Sequence, residues 1–203
     1  MKKIFSLILL LTLALTLASC DMLGGGKDDT TAYGLIASGD KSYFVTPNGT
    51  IEISGGAAKV AASAPEGTPV SKKFDAPNTA DIAFTTEANK TGTGVNITGV
   101  SGADVVIIPN TIGGKKVTGV APGALNGVKS VIFATPAAAM NIEDGALKGV
   151  TNVYIASTPD LLGVGPKLLE NASGVNIYIC ADELSNFKVH YNWGTHASNL
   201  KKF

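Results

Sequence analysis

The sequence contains no arginine, so all 16 of its basic residues are lysines. Arginine supplies the planar guanidinium that contacts phosphates, carboxylates and guanine bases through two hydrogen bonds at once. The 16 acidic residues balance the lysines, which leaves no excess of positive charge to attract a polyanion. These absences argue against nucleic-acid binding and phosphoryl-transfer chemistry, and we expect no nucleic-acid partner.

Cysteine and histidine are also scarce, with two residues of each. Cys20 is assigned to the N-terminal segment that it follows, so an intrachain disulfide with Cys180 is not expected. A zinc site at His190 and His196 would need a third or fourth ligand, and the nearest candidates are Cys180 and Asp182. This set of residues does not have the pattern of a typical zinc site. Nothing in the sequence activates Cys180 as a nucleophile. We therefore predict no metal, no cofactor, no catalytic residue and no enzymatic activity.

The first twenty residues read MKKIFSLILLLTLALTLASC. Lys2 and Lys3 precede an apolar run over residues 4–17, and small residues then lead to Cys20, which is typical of a secretory signal. The run is short for a membrane span, which needs about 20 apolar residues. The triplet Leu-Ala-Ser before Cys20 resembles a bacterial lipobox, which implies cleavage before this cysteine and its diacylation.

The lipobox resemblance makes residues 1–19 a lipoprotein signal peptide and Cys20 the lipidation site. We expect acyl chains to hold the protein in the membrane of a bacterial cell envelope, facing the periplasm or the cell exterior. An ordinary secretory signal and a transmembrane helix with a chance cysteine are the alternatives. Residues 20–32 contain three consecutive glycines and three aspartates, and they predict a flexible tether.

Residues 33–80 are predicted to form a small N-terminal β-rich segment and a linker. Two β-rich runs, over 42–46 and 50–54, flank Pro47-Asn48-Gly49, and Asn-Gly between such runs is typical of a hairpin. Residues 55–80 are rich in Ala, Gly, Pro, Ser and Thr, which predicts a long surface connection. Residues 57–64 within it are compatible with one or two helical turns.

An internal repeat follows in the second half of the chain. Segment 124–134 reads ALNGVKSVIFA and segment 146–156 reads ALKGVTNVYIA, and weaker matches follow at the same interval one unit further on. One such unit cannot bury its own apolar side, so successive units should stack as parallel strands. Two inward-facing ladders are predicted: Val131 with Val153 and Val175, and Phe133 with Ile155 and Ile177.

Residues 117–127, VTGVAPGALNG, resemble the repeat of bacterial surface leucine-rich repeats of the BspA-like type, with Leu125 replacing the usual aromatic residue. Residues 105–118 look like the opening unit of that family, and residues 177–193 look like its closing cap. The resemblance implies a short leucine-rich-repeat solenoid, mostly β with little helix, over residues 81–203. The units lack the Cys-Thr-Ser-Leu stretch common in the family, so each unit is shorter.

The resemblance implies adhesion as the function, whereas the repeats alone imply only a binding surface. Tyr154 and Tyr178 are out of phase with the inward ladders, which places them on the outer side of the strands. There they form either an exposed aromatic pair that could anchor a protein or glycan ligand, or a simple cross-strand packing contact. The predicted function is a non-catalytic, lipid-anchored surface protein for adhesion or protein binding. A carbohydrate-binding accessory lipoprotein that uses Tyr and Trp stacking, and an envelope structural protein, are the alternatives.

The C-terminal segment 182–203 is predicted to cap the last apolar layer, because an open strand edge recruits other chains. Leu184, Phe187, Val189 and Trp193 would supply the apolar cover. The sequence therefore assigns Trp193 to structure rather than to a ligand.

Overall fold

The computed structural model describes residues 34–46, 49–65, 82–133, 139–180 and 182–203. The predicted signal peptide, Cys20 and the tether lie outside the described residues, as does most of the predicted connection over 55–80. Within the described ranges, no helix is long and apolar enough to cross a membrane.

Short strands are the main regular element of the described structure. In chain order they are β1 (Gly34–Ser38), β2 (Lys41–Thr46), β3 (Gly49–Ser54), β4 (Ala57–Ala61), β5 (Ala83–Ala88), β6 (Val95–Ser101), β7 (Val105–Ile108), β8 (Thr111–Ile112), β9 (Lys115–Val120), β10 (Ser130–Phe133), β11 (Met140–Ile142), β12 (Asn152–Ile155), β13 (Leu162–Val164), β14 (Asn176–Ile179) and β15 (Leu200–Lys202). Helix α1 (Leu184–Val189) and two 3-10 segments, Pro159–Leu161 and Trp193–Asn199, complete the described elements.

The N-terminal strands β1 to β4 form an antiparallel sheet in chain order. The predicted hairpin between β2 and β3 is confirmed, since Thr46 pairs with Gly49 across a two-residue connection. The helical turns expected over 57–64 are wrong, because β4 pairs with β3 along its whole length. Pairing satisfies the backbone of this alanine-rich segment, and Ala58 turns inward between exposed neighbours.

The second sheet is mixed and has the order β13-β11-β9-β6-β5, with β8 paired to β9. Strands β5 and β6 are antiparallel, and β6, β9, β11 and β13 run parallel to one another. The third sheet, of order β15-β14-β12-β10-β7, is parallel throughout. The chain thus passes from one of these sheets to the other within each repeat.

Strands β7 and β10 of the parallel sheet are buried on both faces. Val106 and Ile108 of β7 point into the main core, which lies between the parallel and mixed sheets. Val105 and Ile107 of the same strand point into a second core, against Phe44 and its neighbours in the antiparallel sheet. Burying each such side chain stabilises the fold by about 1.5–3 kcal/mol relative to exposure. The antiparallel sheet is therefore an integral layer of the structure.

The predicted leucine-rich-repeat solenoid is wrong, because the chain folds into three multi-strand sheets, one antiparallel, one mixed and one parallel. The prediction took the N-terminal strands as a separate small segment. Ile107, Ile132 and Tyr154 on the outer face of the parallel sheet are apolar enough to need a cover, and the N-terminal sheet provides it.

The pairing predicted from the repeat interval is confirmed for the first two units. Val131 lies beside Val153, and Phe133 lies beside Ile155. Both glycines at the turns, Gly127 and Gly149, have positive φ, at 92° and 83°. The sequence repeat therefore does set the strand register, although each repeat contributes strands to two different sheets.

The register predicted for the third unit is wrong, because Val153 pairs with Ile177 rather than with Val175. Asn171 takes the position of the turn glycines and has a φ of 60°, which asparagine tolerates better than most residues. Two extra residues then precede β14, including Gly174 with a φ of 69°. The longer turn shifts the ladder by two residues, which keeps the same side chains facing inward.

Candidate functional site

Asparagine and glycine alternate across four parallel strands on the outer face of the mixed sheet. Asn96 on β6 pairs with Gly119 on β9, Gly119 pairs with Asn141 on β11, and Asn141 pairs with Gly163 on β13. We call this row of four residues the amide face. Its side chains point away from the main core, and Asn141 is exposed to solvent.

The glycines of the amide face make room for the asparagine side chains. A Cβ atom at Gly119 would lie 2.6 Å from Asn96 Oδ1, and one at Gly163 would lie 3.2 Å from Asn141 Oδ1. Each asparagine therefore lies flat over the glycine of the next strand. The result is a row of carboxamides over glycine backbone, without a bulky side chain in the row, in which Gly119 is buried and Asn141 is exposed.

A hydrogen-bonded loop holds one end of the amide face in place. Thr118 Oγ1 donates to Asn96 Oδ1 at 3.2 Å, and Asn89 Nδ2 donates to Thr118 Oγ1 at 3.1 Å. Asn89 Oδ1 in turn accepts from the backbone N–H of Thr93 at 2.9 Å. In the described part of the chain, no hydrogen bond engages the Asn141 carboxamide, so its donors and acceptor face solvent.

The sequence reasoning missed the amide face, although a signal for it was present. Gly119, Asn141 and Gly163 are evenly spaced along the chain, at the same interval as the apolar repeat. A comparison of the outward positions of successive units would have found this row. Asn96 lies off that spacing, because the register between β6 and β9 shifts beside Val95.

The predicted aromatic pair does stack, but it is not an exposed platform. Tyr154 and Tyr178 lie on adjacent strands with ring centroids 4.9 Å apart and nearly parallel planes. Tyr154 is only 2% exposed, whereas Tyr178 is half-buried. The N-terminal sheet and Phe203 cover them. The prediction missed this cover because the alternation of side chains along a strand does not show which element packs on each face.

The Tyr154 hydroxyl ties two sheets together. It donates a hydrogen bond of 2.8 Å to the backbone carbonyl O of Ala58 on β4. Burial raises the pKa of Tyr154 to about 12, and the nearby Tyr178 adds to this effect. The residue is thus a neutral structural donor at physiological pH.

The C-terminal segment closes one end of the molecule, and Trp193 is a buried structural residue, as predicted. Trp193 Nε1 donates to the carbonyl O of Leu162 at 2.7 Å, and its ring packs edge-on against Phe187. His196 Nε2 lies 3.2 Å from the carbonyl O of Gly165. These contacts occupy carbonyl groups at the end of the mixed sheet. The cover predicted from Val189 is wrong, because this side chain is 83% exposed.

The remaining candidates from the sequence do not come together into a reactive site. Cys180 is buried, and its thiol lies 3.6 Å from the carbonyl O of Ile155. His190 lies 3.7 Å from Asp160, whereas His196 contacts a different residue, Gly165. Among the residues that the structure describes, no three His, Cys, Asp or Glu side chains form a metal-binding group.

One acidic side chain on the N-terminal sheet has a shifted pKa. Glu52 forms ion pairs with Lys41 at 3.0 Å and with Lys59 at 3.3 Å. The hydrogen bond from Lys41 lowers the pKa of the Glu52 carboxyl, with a smaller contribution from Lys59, although burial opposes the shift. The same hydrogen bond raises the pKa of Lys41. Charge pairing of this kind joins neighbouring strands β2, β3 and β4.

Comparison with known proteins does not assign this chain to a family. No family model matches the chain, and no curated protein or solved structure matches it either.

Proposed function

We propose that this protein is a lipid-anchored, non-catalytic surface protein of the bacterial cell envelope that binds a protein partner through the amide face. The observation that carries the proposal is the alternation of Asn96, Gly119, Asn141 and Gly163 across four strands. Carboxamides offer donors and acceptors together, which suits the backbone and polar side chains of another protein.

The geometry of the face supports a protein partner over a sugar bound by aromatic stacking. The exposed carboxamide of Asn141 and the neighbouring Gly163, which has no side chain, allow another polypeptide to approach this part of the sheet closely. Stacking on a sugar needs an exposed aromatic ring, whereas the amide face contains none and Trp193 and Tyr154 are both buried. Partner binding at such polar surfaces relies on hydrogen bonds and trapped water.

The lipid anchor rests on the sequence of the first twenty residues. Lys2 and Lys3, the apolar run and the small residues before Cys20 support export followed by acylation of this cysteine. Two acyl chains give stable membrane anchoring, whereas a single chain gives only marginal binding. The folded sheets would then stand clear of the lipid at the end of the tether.

The anchor can be tested by the exchange of each cysteine in turn in full-length protein expressed in a bacterial host. Cys20→Ala should abolish incorporation of labelled fatty acid and release the protein from membranes. Cys180→Ala is the matched control, because it removes the other cysteine and should retain both label and anchor. Mass spectrometry that finds an unmodified Cys20 in the wild-type protein would contradict the lipoprotein proposal.

The binding face can be tested by site-specific photo-crosslinking on intact cells. A photoreactive residue at Asn141 should yield a crosslinked protein adduct, and Asn96→Ala in the same chain should reduce its amount. The control position is Tyr191, which is 82% exposed but lies in the C-terminal segment. Equal adducts from both positions, or none from Asn141, would contradict a binding role for this face.

A further inference from the structure

An open cavity of about 430 Å³ lies on the surface of the protein, where three parts of the chain meet. Residues 100–104, at the end of β6 and before β7, form one wall, and Asn126 and Gly127 of the next turn form another. Gly56, in the turn between β3 and β4, approaches Asp104, since a Cβ atom there would lie 2.9 Å from Asp104 Oδ2. Small-ligand sites typically have volumes of about 300–1,000 Å³, a range that includes this cavity.

The Asp104 backbone is held firmly at this junction. Its carbonyl O accepts hydrogen bonds from the backbone N–H groups of Lys129 and Ser130, at 2.8 and 3.0 Å. Its carboxylate Oδ2 accepts from Lys129 Nζ at 3.1 Å. In the described residues no hydrogen bond engages Oδ1, which leaves this oxygen as an acceptor for a ligand.

Two more polar side chains line the cavity with unused hydrogen-bonding capacity. The Ser101 hydroxyl and the Asn126 carboxamide, like Asp104 Oδ1, make no hydrogen bond within the described part of the chain. Val100 and Ala103 are half-buried beside them and pack against the main core, so they offer a small apolar surface. A hydroxyl, a carboxylate and a carboxamide therefore border the cavity beside this apolar surface, and Ser101 and Asn126 are exposed to solvent.

The charged side chains beside the cavity limit the class of ligand that it can bind. The Asp104 carboxylate and the Lys129 ammonium form an ion pair, so the site has no net charge that would favour an anion or a cation. A neutral molecule with several hydroxyl groups can donate to Asp104 Oδ1, exchange hydrogen bonds with Ser101 and Asn126, and place its C–H surface on the apolar residues.

We propose that this cavity binds a neutral polyhydroxylated ligand, such as one unit of a saccharide. The proposal is independent of the amide face, because the two sites share no residue. Recognition here uses hydrogen bonds and aliphatic contacts, without the aromatic stacking expected from the sequence.

The test is an NMR titration of isotope-labelled mature protein with glucose, N-acetylglucosamine and myo-inositol as separate probes, each raised to tens of millimolar. At least one probe should produce saturable shifts at the amides of Gly102 and Gly127. Ser101→Trp, at an exposed strand end, should occlude the cavity and abolish them, and Asp104→Asn should weaken binding at least several-fold.

Two controls make the outcome decisive. Asp160→Asn removes an exposed carboxylate outside the cavity, and Asn141→Ala alters only the amide face, so both should leave the shifts unchanged. The proposal is overturned if no probe gives saturable shifts at the cavity, or if the shifts persist unchanged in Ser101→Trp.

Discussion

The contact between Tyr154 and Ala58 gives a quantitative test of how the N-terminal sheet joins the rest of the fold. Tyr154→Phe removes the hydroxyl and keeps the ring that stacks on Tyr178. The Ala58 carbonyl then loses a 2.8 Å hydrogen bond at a position where Ala58 is only 7% exposed. Leaving a buried acceptor unsatisfied costs about 1–3 kcal/mol, so we expect the free energy of unfolding at neutral pH to fall by about 1–2 kcal/mol.

The same substitution should also change the response to alkaline pH. The pKa of Tyr154 is about 12 in the folded protein, above its ordinary value of 10.0. A group whose pKa is raised by folding contributes stability below its unfolded pKa and loses it as pH rises towards the folded pKa. At pH 11 the unfolded tyrosine is mostly ionised and the folded one is mostly neutral, which lowers wild-type stability by about 1.4 kcal/mol.

The two effects together predict that the stability gap between wild type and Tyr154→Phe narrows with pH. The gap should be about 1–2 kcal/mol at pH 7 and close to zero at pH 11, because phenylalanine has no proton to lose. Urea denaturation followed by circular dichroism at both pH values measures it. The difference between variants cancels the general loss of stability that lysine deprotonation causes.

Tyr191→Phe is the matched control, because Tyr191 is 82% exposed. It should leave stability within about 0.5 kcal/mol of wild type at both pH values, as surface substitutions usually do. If Tyr154→Phe shows the same gap at pH 7 and at pH 11, Tyr154 is not shielded from water. The N-terminal sheet would then not cover the outer face of the parallel sheet as described.

Other contacts give further predictions. Trp193→Phe should lower the free energy of unfolding by about 2 kcal/mol, because the carbonyl O of Leu162 loses its donor; an unchanged urea midpoint would contradict the cap. Val153→Ala should cost about 1–2 kcal/mol in the core, whereas Val189→Ala on the surface should cost almost nothing, and equal melting temperatures for the two variants would refute the burial of Val153. The wild-type protein should lose stability as the pH falls below about 4.5 and towards the lowered pKa that Glu52 has in the folded state. Acid denaturation of Glu52→Gln should not show the part of this loss that protonation of Glu52 causes.

Sequence periodicity predicted the strand pairing well where the chain repeats at a constant interval. Val131 and Val153 are one repeat apart in the sequence and adjacent in the sheet, as the interval required. Periodicity failed where the turn length changed. Asn171 keeps the positive φ of Gly149, so the turn looks unchanged, but two added residues place Ile177 rather than Val175 beside Val153. Strand alternation has a period of two, so an insertion of two residues leaves no trace in the apolar pattern.

The amide face could have been found by the same logic applied to the outer positions. Gly119, Asn141 and Gly163 recur once in each repeat, but a search for apolar ladders ignores polar and small residues. The role of Gly119 also needs the structure, because a Cβ atom there would displace the Asn96 side chain that lies above it. Asn96 falls outside the regular interval, beyond a register shift that the sequence does not mark.

The three-sheet arrangement lay beyond the sequence for a different reason. The unbroken apolar run Val105–Ile108 shows that both faces of a strand are buried, but it does not identify the covering element. The partner of that outer face comes from the N-terminal strands, and the hydrogen bond between Ala58 and Tyr154 spans 96 residues of sequence. The composition of β4, five residues that include three alanines, fits a strand only because β3 and the Tyr154 hydroxyl are available to its backbone. Tertiary contacts therefore decide both the conformation of this segment and the burial of the tyrosine pair, and neither could be read from local pattern alone.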